Sequence, residues 1–216
     1  MTLPSTVALA ANSLAKSIEA GGRGEEVIVE LAELGQIRQK DLDDHRTNGA
    51  VFTPYSVAEE LVQQVGIDAQ DIVCDPSVGP GGFLLAAAEH KFRQGEAVPS
   101  ILEALRGIDI DPVTVEVART TLQLWGLWRG HEWLPVNHLI VGDALLDIPD
   151  DWFGRCDVVV GNPPFLGQLK SDTARDPARG EVLRERFGAR YTAYLDESML
   201  FLLLGVELSG ESGTVA

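Results

Sequence analysis

Two apolar rhythms divide this chain. Residues 5–20 are rich in alanine, and residues 24–42 place Val27, Ile28, Leu31, Leu34 and Ile37 close to helical spacing. Two helices are predicted there, separated by "GGRG" (Gly21–Gly24). A polar connector, "DLDDHRTNGAVF", follows. A third helix is expected in "TPYSVAEELVQQVG": Thr53 is placed to cap it, Pro54 takes its first position, and Val57, Leu61, Val62 and Val65 form its stripe. Beyond that, short continuous apolar runs alternate with helical patterns. Strands are expected at Asp71–Pro76, Leu105–Ile110, His138–Leu145 and Cys156–Pro164, with a fifth beginning at Gly213. Between them come helices at Phe83–Gln94, Asp111–Gly126 and Tyr194–Gly210. Asp111 can cap the second of these, Pro112 opens it and Gly126 can stop it.

Continuous apolar strands joined by helices mean an α/β domain whose parallel sheet is covered on both faces. The expected organisation is a helical region, 1–45, ahead of a sheet domain, 46–216. Ligands in such sheets bind beyond the carboxyl ends of the strands. Those ends read "DPSVGPGG", "DID", "GDA" and "GNPPF", the most polar and glycine-rich junctions of the core. Function is therefore expected along one edge.

The glycines of "DPSVGPGGF" let backbone approach a ligand closely. The run lacks the G-x-G-x-x-G spacing of dinucleotide binders, and Asp75 would oppose a pyrophosphate. A carboxylate there suits a cationic amine. Asp109, at the next strand end, can accept from ribose hydroxyls, and Asp143 from an exocyclic adenine amine. Each aspartate alone reads equally well as a helix cap. Together, amine, ribose and adenine amine describe S-adenosylmethionine. The fourth junction offers acceptors: the Asn162 side-chain carbonyl, and a backbone stiffened by Pro163 and Pro164, neither of which donates an N–H. Phe165 adds a flat face. This set suits a planar substrate carrying an amino group, stacked on Phe165.

Composition narrows the reading further. The 216 residues suffice for one domain with a sizeable core. No apolar run is long enough for a bilayer, and no signal peptide is expected, so a cytoplasmic location is the default. The two cysteines, Cys74 and Cys156, fall within strand-like runs and read as buried thiols; no metal site is expected. A net charge of −16 (17 basic against 33 acidic residues) argues against a chain that coats nucleic acid by itself. Lys170–Arg190 is locally basic within this acidic chain, with six cations against four anions. It reads either as a solvated mixed-charge helix face or as a mobile segment whose Arg175, Arg179 and Arg184 touch phosphates.

With "GAVFTPYSVAEELV", "DPSVGPGGFLLAA", "GIDIDP", "GDAL" and "NPPF" in that order, the sequence resembles the adenine-N6 DNA methyltransferases of restriction–modification systems, in their γ arrangement of motifs. The resemblance covers roughly residues 48–216. It implies a Rossmann-like sheet of the S-adenosylmethionine-dependent methyltransferases with an N-terminal helical extension. It implies cofactor contacts from Thr53, Asp75, Pro76, Ser77, Gly79, Gly81, Asp109, Ile110, Asp143 and Ala144. Asn162, Pro163, Pro164 and Phe165 would hold an adenine flipped out of double-stranded DNA. It also implies further strands and a target-recognition domain or subunit beyond this sequence, so a chain truncated before that part is expected. Pro80 departs from the family pattern and should stiffen its loop. Two rival readings stay open. One is a protein-glutamine N5 methyltransferase, whose amide needs the same acceptors; "VFTPYSV" favours DNA. The other is a non-catalytic fragment that binds cofactor or a partner chain.

Overall fold

The computed structural model describes residues 3–22, 24–44, 52–163, 177–188 and 197–216. Its pivot is β1 (Val73–Asp75). From it the chain steps outward through β2 (Leu105–Asp109) to β3 (Leu139–Val141), then returns to the other side of β1 as β4 (Cys156–Val159), flanked by β5 (Ser209–Val215). The strand order is β3-β2-β1-β4-β5, with every pairing parallel. The reversal between β1 and β4 is a topological switch point, where an open α/β sheet leaves a crevice beyond its carboxyl ends.

Nine α-helices are present among the described residues: α1 (Ser5–Glu19), α2 (Glu26–Asp44), α3 (Tyr55–Val65), α4 (Gly82–Arg93), α5 (Val98–Glu103), α6 (Pro112–Trp128), α7 (Ala144–Asp147), α8 (Pro177–Phe187) and α9 (Glu197–Leu208). On one face of the sheet, Val73, Leu105, Leu139 and Val158 pack into a cluster with α1 to α6. On the other, Cys74, Ile108, Cys156 and Val159 meet Leu145 of α7, Leu183 and Phe187 of α8, and Leu200, Leu204 and Leu208 of α9. Both faces are thus covered, as continuous apolar strands require. Each fully buried leucine contributes about 1.5–3 kcal/mol relative to exposure. Helices α1 and α2 belong to the same cluster as the sheet, through Leu14, Ile18, Leu31 and Leu34 against α6. None of the described helices is long and apolar enough to cross a membrane. Cys74 and Cys156 are free thiols, both buried as expected.

Several boundaries differ from the sequence expectation, for local reasons. Thr53 does not cap α3. Pro54 is the boundary residue, and its carbonyl accepts from Val57 and Ala58 (3.0 and 3.1 Å). A residue before proline is driven to extended backbone, which moves the helix start one residue along. Helix α6 begins at Pro112 as expected, capped by Asp111, whose carboxylate accepts from the N–H groups of Val113 and Thr114 (3.1 and 3.2 Å). It does not stop at Gly126 but runs on to Trp128, because Trp125 and Trp128 are buried and hold the last turn in the core. Helix α5 and the short α7 lay unrecognised in "AVPSILEA" and "DALLD". The fifth strand begins at Ser209, not Gly213. Its pairing jumps from Cys156↔Ser209 to Val158↔Thr214, a bulge that absorbs the residues between.

Candidate active site

The carboxyl ends of β1, β2 and β4 converge at the switch point. Asp75 ends β1 and is 1% exposed; its Oδ1 accepts from the Ser77 N–H (2.9 Å) and hydroxyl (3.3 Å). Burial, chiefly, pushes its carboxyl up to about 7, the Ser77 hydrogen bonds pull against that, and the neighbouring charge of Asp109 adds to the rise. Pro76 is buried behind it. The loop then turns through Gly79 (φ +51°) and Gly81 (φ +89°), left-handed backbone that residues with a β-carbon rarely adopt. Gly81 directly precedes α4, and a β-carbon there would stand 3.1 Å from Cβ of Ala118, so the bare backbone lets the loop pack against α6.

Asp109 ties this loop to β2. Its Oδ2 accepts from the Gly79 N–H (3.1 Å) and its Oδ1 from the Asp111 N–H (2.9 Å). Burial raises its carboxyl above the ordinary range, against those two hydrogen bonds. Both oxygens keep further lone pairs for hydroxyl donors. The next residue, Ile110, is 71% exposed just past the strand end, an apolar side chain left outside the core. Upstream, Phe52 and Thr53 lie over the same loop. The Phe52 ring comes within 3.4 Å of where a Gly79 β-carbon would stand, and the Thr53 carbonyl within 3.5 Å of that of Gly82.

The corner after β4 is held from both sides. The Val160 N–H donates to the Cys74 carbonyl of β1 (2.9 Å), and the Gly161 N–H to the Ala216 carbonyl beyond β5 (3.2 Å). Gly161 leaves no room for a side chain: a β-carbon would meet Asp75 Oδ1 at 2.9 Å and Ser77 Oγ at 3.0 Å. Asn162 and Pro163 follow, half-buried, and none of the described residues hydrogen-bonds the Asn162 side chain. Pro164 and Phe165 lie outside the described residues.

The Asp143 expectation meets a complication. Asp143 caps α7 through Oδ1 (Leu145 N–H, 3.0 Å), and its Oδ2 accepts from Arg179 Nε of α8 (2.6 Å). Ala144 is buried beneath it. The segment read as solvated or mobile therefore contains a packed helix: Leu183 and Phe187 are 1% and 5% exposed. Arg186 donates to the Leu145 carbonyl and stacks over the rings of Phe153 and Phe187 (5.5 and 5.1 Å). Arg175 lies outside the described residues. The expected set thus gathers Thr53, Asp75, Ser77, Gly79, Gly81, Asp109, Ile110 and Asn162 on one edge, with Asp143 at its far end engaged by Arg179.

Three residues that no motif flagged also reach this edge: Gly35, Arg38 and Gln39 of α2. The available signal was Arg38 itself, a charge at the next position of the stripe Val27, Leu31, Leu34.

Residues 38–216 match the sequence profile of the family described as N-6 DNA Methylase. The chain is 27% identical to the Type I restriction enzyme EcoEI methylase subunit of Escherichia coli over 183 residues, covering 82% of this chain and 34% of that protein. It is 26% identical to the adenine-specific methyltransferase PglX of Streptomyces coelicolor, covering 72% of this chain and 17% of that one. Its fold is similar to that of the type I restriction-modification system methyltransferase subunit from Streptococcus thermophilus. There the TM-score is 0.54 and the identity 22%, over 85% of this chain and 38% of the other. The chain thus spans about a third or less of the length of these curated relatives.

Proposed function

Since the chain belongs to the N-6 DNA methylase family, we propose that it carries the catalytic core of a DNA methyltransferase acting on N6 of adenine, with S-adenosylmethionine as the methyl donor. One observation carries this reading. Gly161 brings the Asn162-Pro163 corner against the buried carboxylate of Asp75, so acceptors for an amine substrate adjoin the strand ends suited to a cationic cofactor.

The residues fit such a cofactor. Gly79 and Gly81 let the loop take left-handed backbone at two points; Asp75 offers a carboxylate to an amine; Asp109 keeps lone pairs for hydroxyls; Ile110 offers an apolar face to a base. Thr53, Pro76 and Ser77 would shape the amine end, and Asp143 and Ala144 the base end. When bound, S-adenosylmethionine supplies an electrophilic methyl group. The chain's own part is positioning. The Asn162 carbonyl would accept a hydrogen of the adenine amine, and the backbone at Pro163 presents only acceptors beside it. An amine held by its hydrogens turns its lone pair out of the ring plane. Phe165 is assigned the stacking face and Pro164 the rigidity of the corner. No covalent intermediate on the protein is required, since the amine is itself the nucleophile.

The partner on this reading is double-stranded DNA with the target adenine flipped out. Its sequence would be read by a recognition domain or subunit outside these 216 residues, consistent with a net charge of −16. A restriction–modification or phage-defence role and a cytoplasmic location follow from the same reading.

The test measures S-adenosylmethionine binding by calorimetry and transfer of a labelled methyl group to duplex DNA, for the chain joined to the recognition part of its own system. Asn162→Ala should keep its affinity for the cofactor and lose transfer by about a hundredfold or more. Retained transfer would remove Asn162 from the role. Label appearing on a glutamine-containing peptide and not on DNA would favour the protein-methylating alternative.

A further inference from the structure

Three segments line the cleft, and one face of α2 touches all three. Gly35 meets the glycine loop: a β-carbon there would stand 2.8 Å from Cγ of Pro80, so the proline rests on bare helix backbone. Arg38, one turn on and 8% exposed, reaches the start of α6. Its NH2 donates to Asp111 Oδ2 (2.7 Å), its Nε to Thr114 Oγ1 (3.3 Å) and its NH1 to Asp41 Oδ2 (2.6 Å). Asp111 in turn donates its N–H to Asp109. Gln39 completes the set: its Oε1 accepts the Phe52 N–H (2.9 Å), and the Phe52 ring lies over Gly79. Positions i, i+3 and i+4 share one face of a helix. The contacts beyond α2 run to the glycine loop, the Phe52 segment and the cap and first turn of α6, whereas α1 and the remainder of α2 pack on apolar side chains of α6.

We propose that α2 is the positioning element of the cofactor cleft and that Arg38 is its principal positioning residue, acting on Asp109 through Asp111. The proposal rests on the reading of the cleft given above. Pro80 acquires a purpose in it: a stiff loop can be placed by pressing on one point. Arg38 is suited to its part, because a planar guanidinium donates in three fixed directions at once, which an ammonium does not reproduce. Undocking α2 would release the glycine loop, the start of α6 and the Phe52–Thr53 segment together. Cofactor affinity is thereby coupled to the seating of α2.

Calorimetry with S-adenosylmethionine on the full chain tests this, with thermal unfolding measured alongside. Arg38→Ala should weaken binding about tenfold, Arg38→Lys should recover part of the loss, and Gln39→Ala should weaken it about threefold. Leu14→Ala, which loosens α1 away from the cleft, should lower the unfolding temperature and leave affinity at the wild-type value. If Arg38→Ala does not fold, Gln39→Ala decides, since it removes the half-buried hydrogen bond to the Phe52 N–H. Wild-type affinity in the α2 variants would overturn the proposal, as would an equal loss in Leu14→Ala. Asp109→Ala reports on the cleft separately. If it binds normally, or the wild type does not bind, the cleft reading fails and the proposal with it. If it alone loses affinity, only the role of α2 fails.

Discussion

A β-carbon on Gly161 would stand 2.9 Å from Oδ1 of Asp75, closer than such atoms approach in folded proteins. Asp75 cannot retreat easily: it is 1% exposed and held by Ser77. Gly161→Ala should therefore cost about 1–3 kcal/mol of stability, as overpacking does. It should also weaken cofactor binding, because the displaced carboxylate belongs to both requirements. Urea denaturation and calorimetry measure the two effects. An alanine variant as stable as wild type would mean that the β4 corner does not press on β1.

Tyr55 gives a prediction of the opposite sign. Its hydroxyl is buried, and no described residue hydrogen-bonds it. Burial, with Glu59 and Glu89 nearby, holds that phenol well above its ordinary range. Tyr55→Phe removes a polar group that lacks a partner, so stability should hold or rise by up to about 1 kcal/mol. A clear fall in unfolding temperature would show that the hydroxyl is satisfied.

The Arg179–Asp143 pair (2.6 Å) joins α8 to the cap of α7, with side chains 28% and 13% exposed. A double-mutant cycle of Arg179→Ala with Asp143→Asn should give a coupling of about 0.5–1 kcal/mol, fading as salt is added. Asp143→Ala should cost about 1 kcal/mol more than Asp143→Asn, since asparagine still caps α7. Zero coupling at low salt would mean that this pair does not help to anchor α8, which Leu183, Phe187 and Arg186 also hold.

The sheet and its edge were legible because their signals are local. Glycines, prolines and aspartates at strand ends declare turns and caps, and continuous apolar runs declare buried parallel strands. The same local signals misled where packing intervened. Gly126 reads as a stop, yet the burial of Trp125 and Trp128 carries α6 past it. Asp143 reads as a free acceptor, yet its partner Arg179 comes from another helix 36 residues on. The contacts of Gly35, Arg38 and Gln39 depend on where α2 docks, which no spacing within α2 encodes. Only the charge of Arg38 on an apolar stripe hinted at a buried partner.

The protonation of Asp75 makes the cleft sensitive to pH. Its carboxyl stands near 7 in the folded chain, mainly through burial, against an ordinary value of 3.8. A raised carboxyl binds its proton more tightly folded than unfolded, so stability should fall as pH rises from about 4 to about 7, then level off. Asp109, raised by the same cause, adds in the same direction. A cationic amine beside Asp75 favours the ionised form and should release a proton on binding near pH 7. Cofactor affinity should therefore climb with pH through that range, by at most about tenfold per unit, and flatten above it. Calorimetry in buffers of different ionisation enthalpy counts the released proton directly. Asp75→Asn should remove both the proton release and much of the pH slope of stability. Proton uptake on binding, or an affinity that is flat from about pH 6 to about pH 8, would show that the amine does not meet this carboxylate.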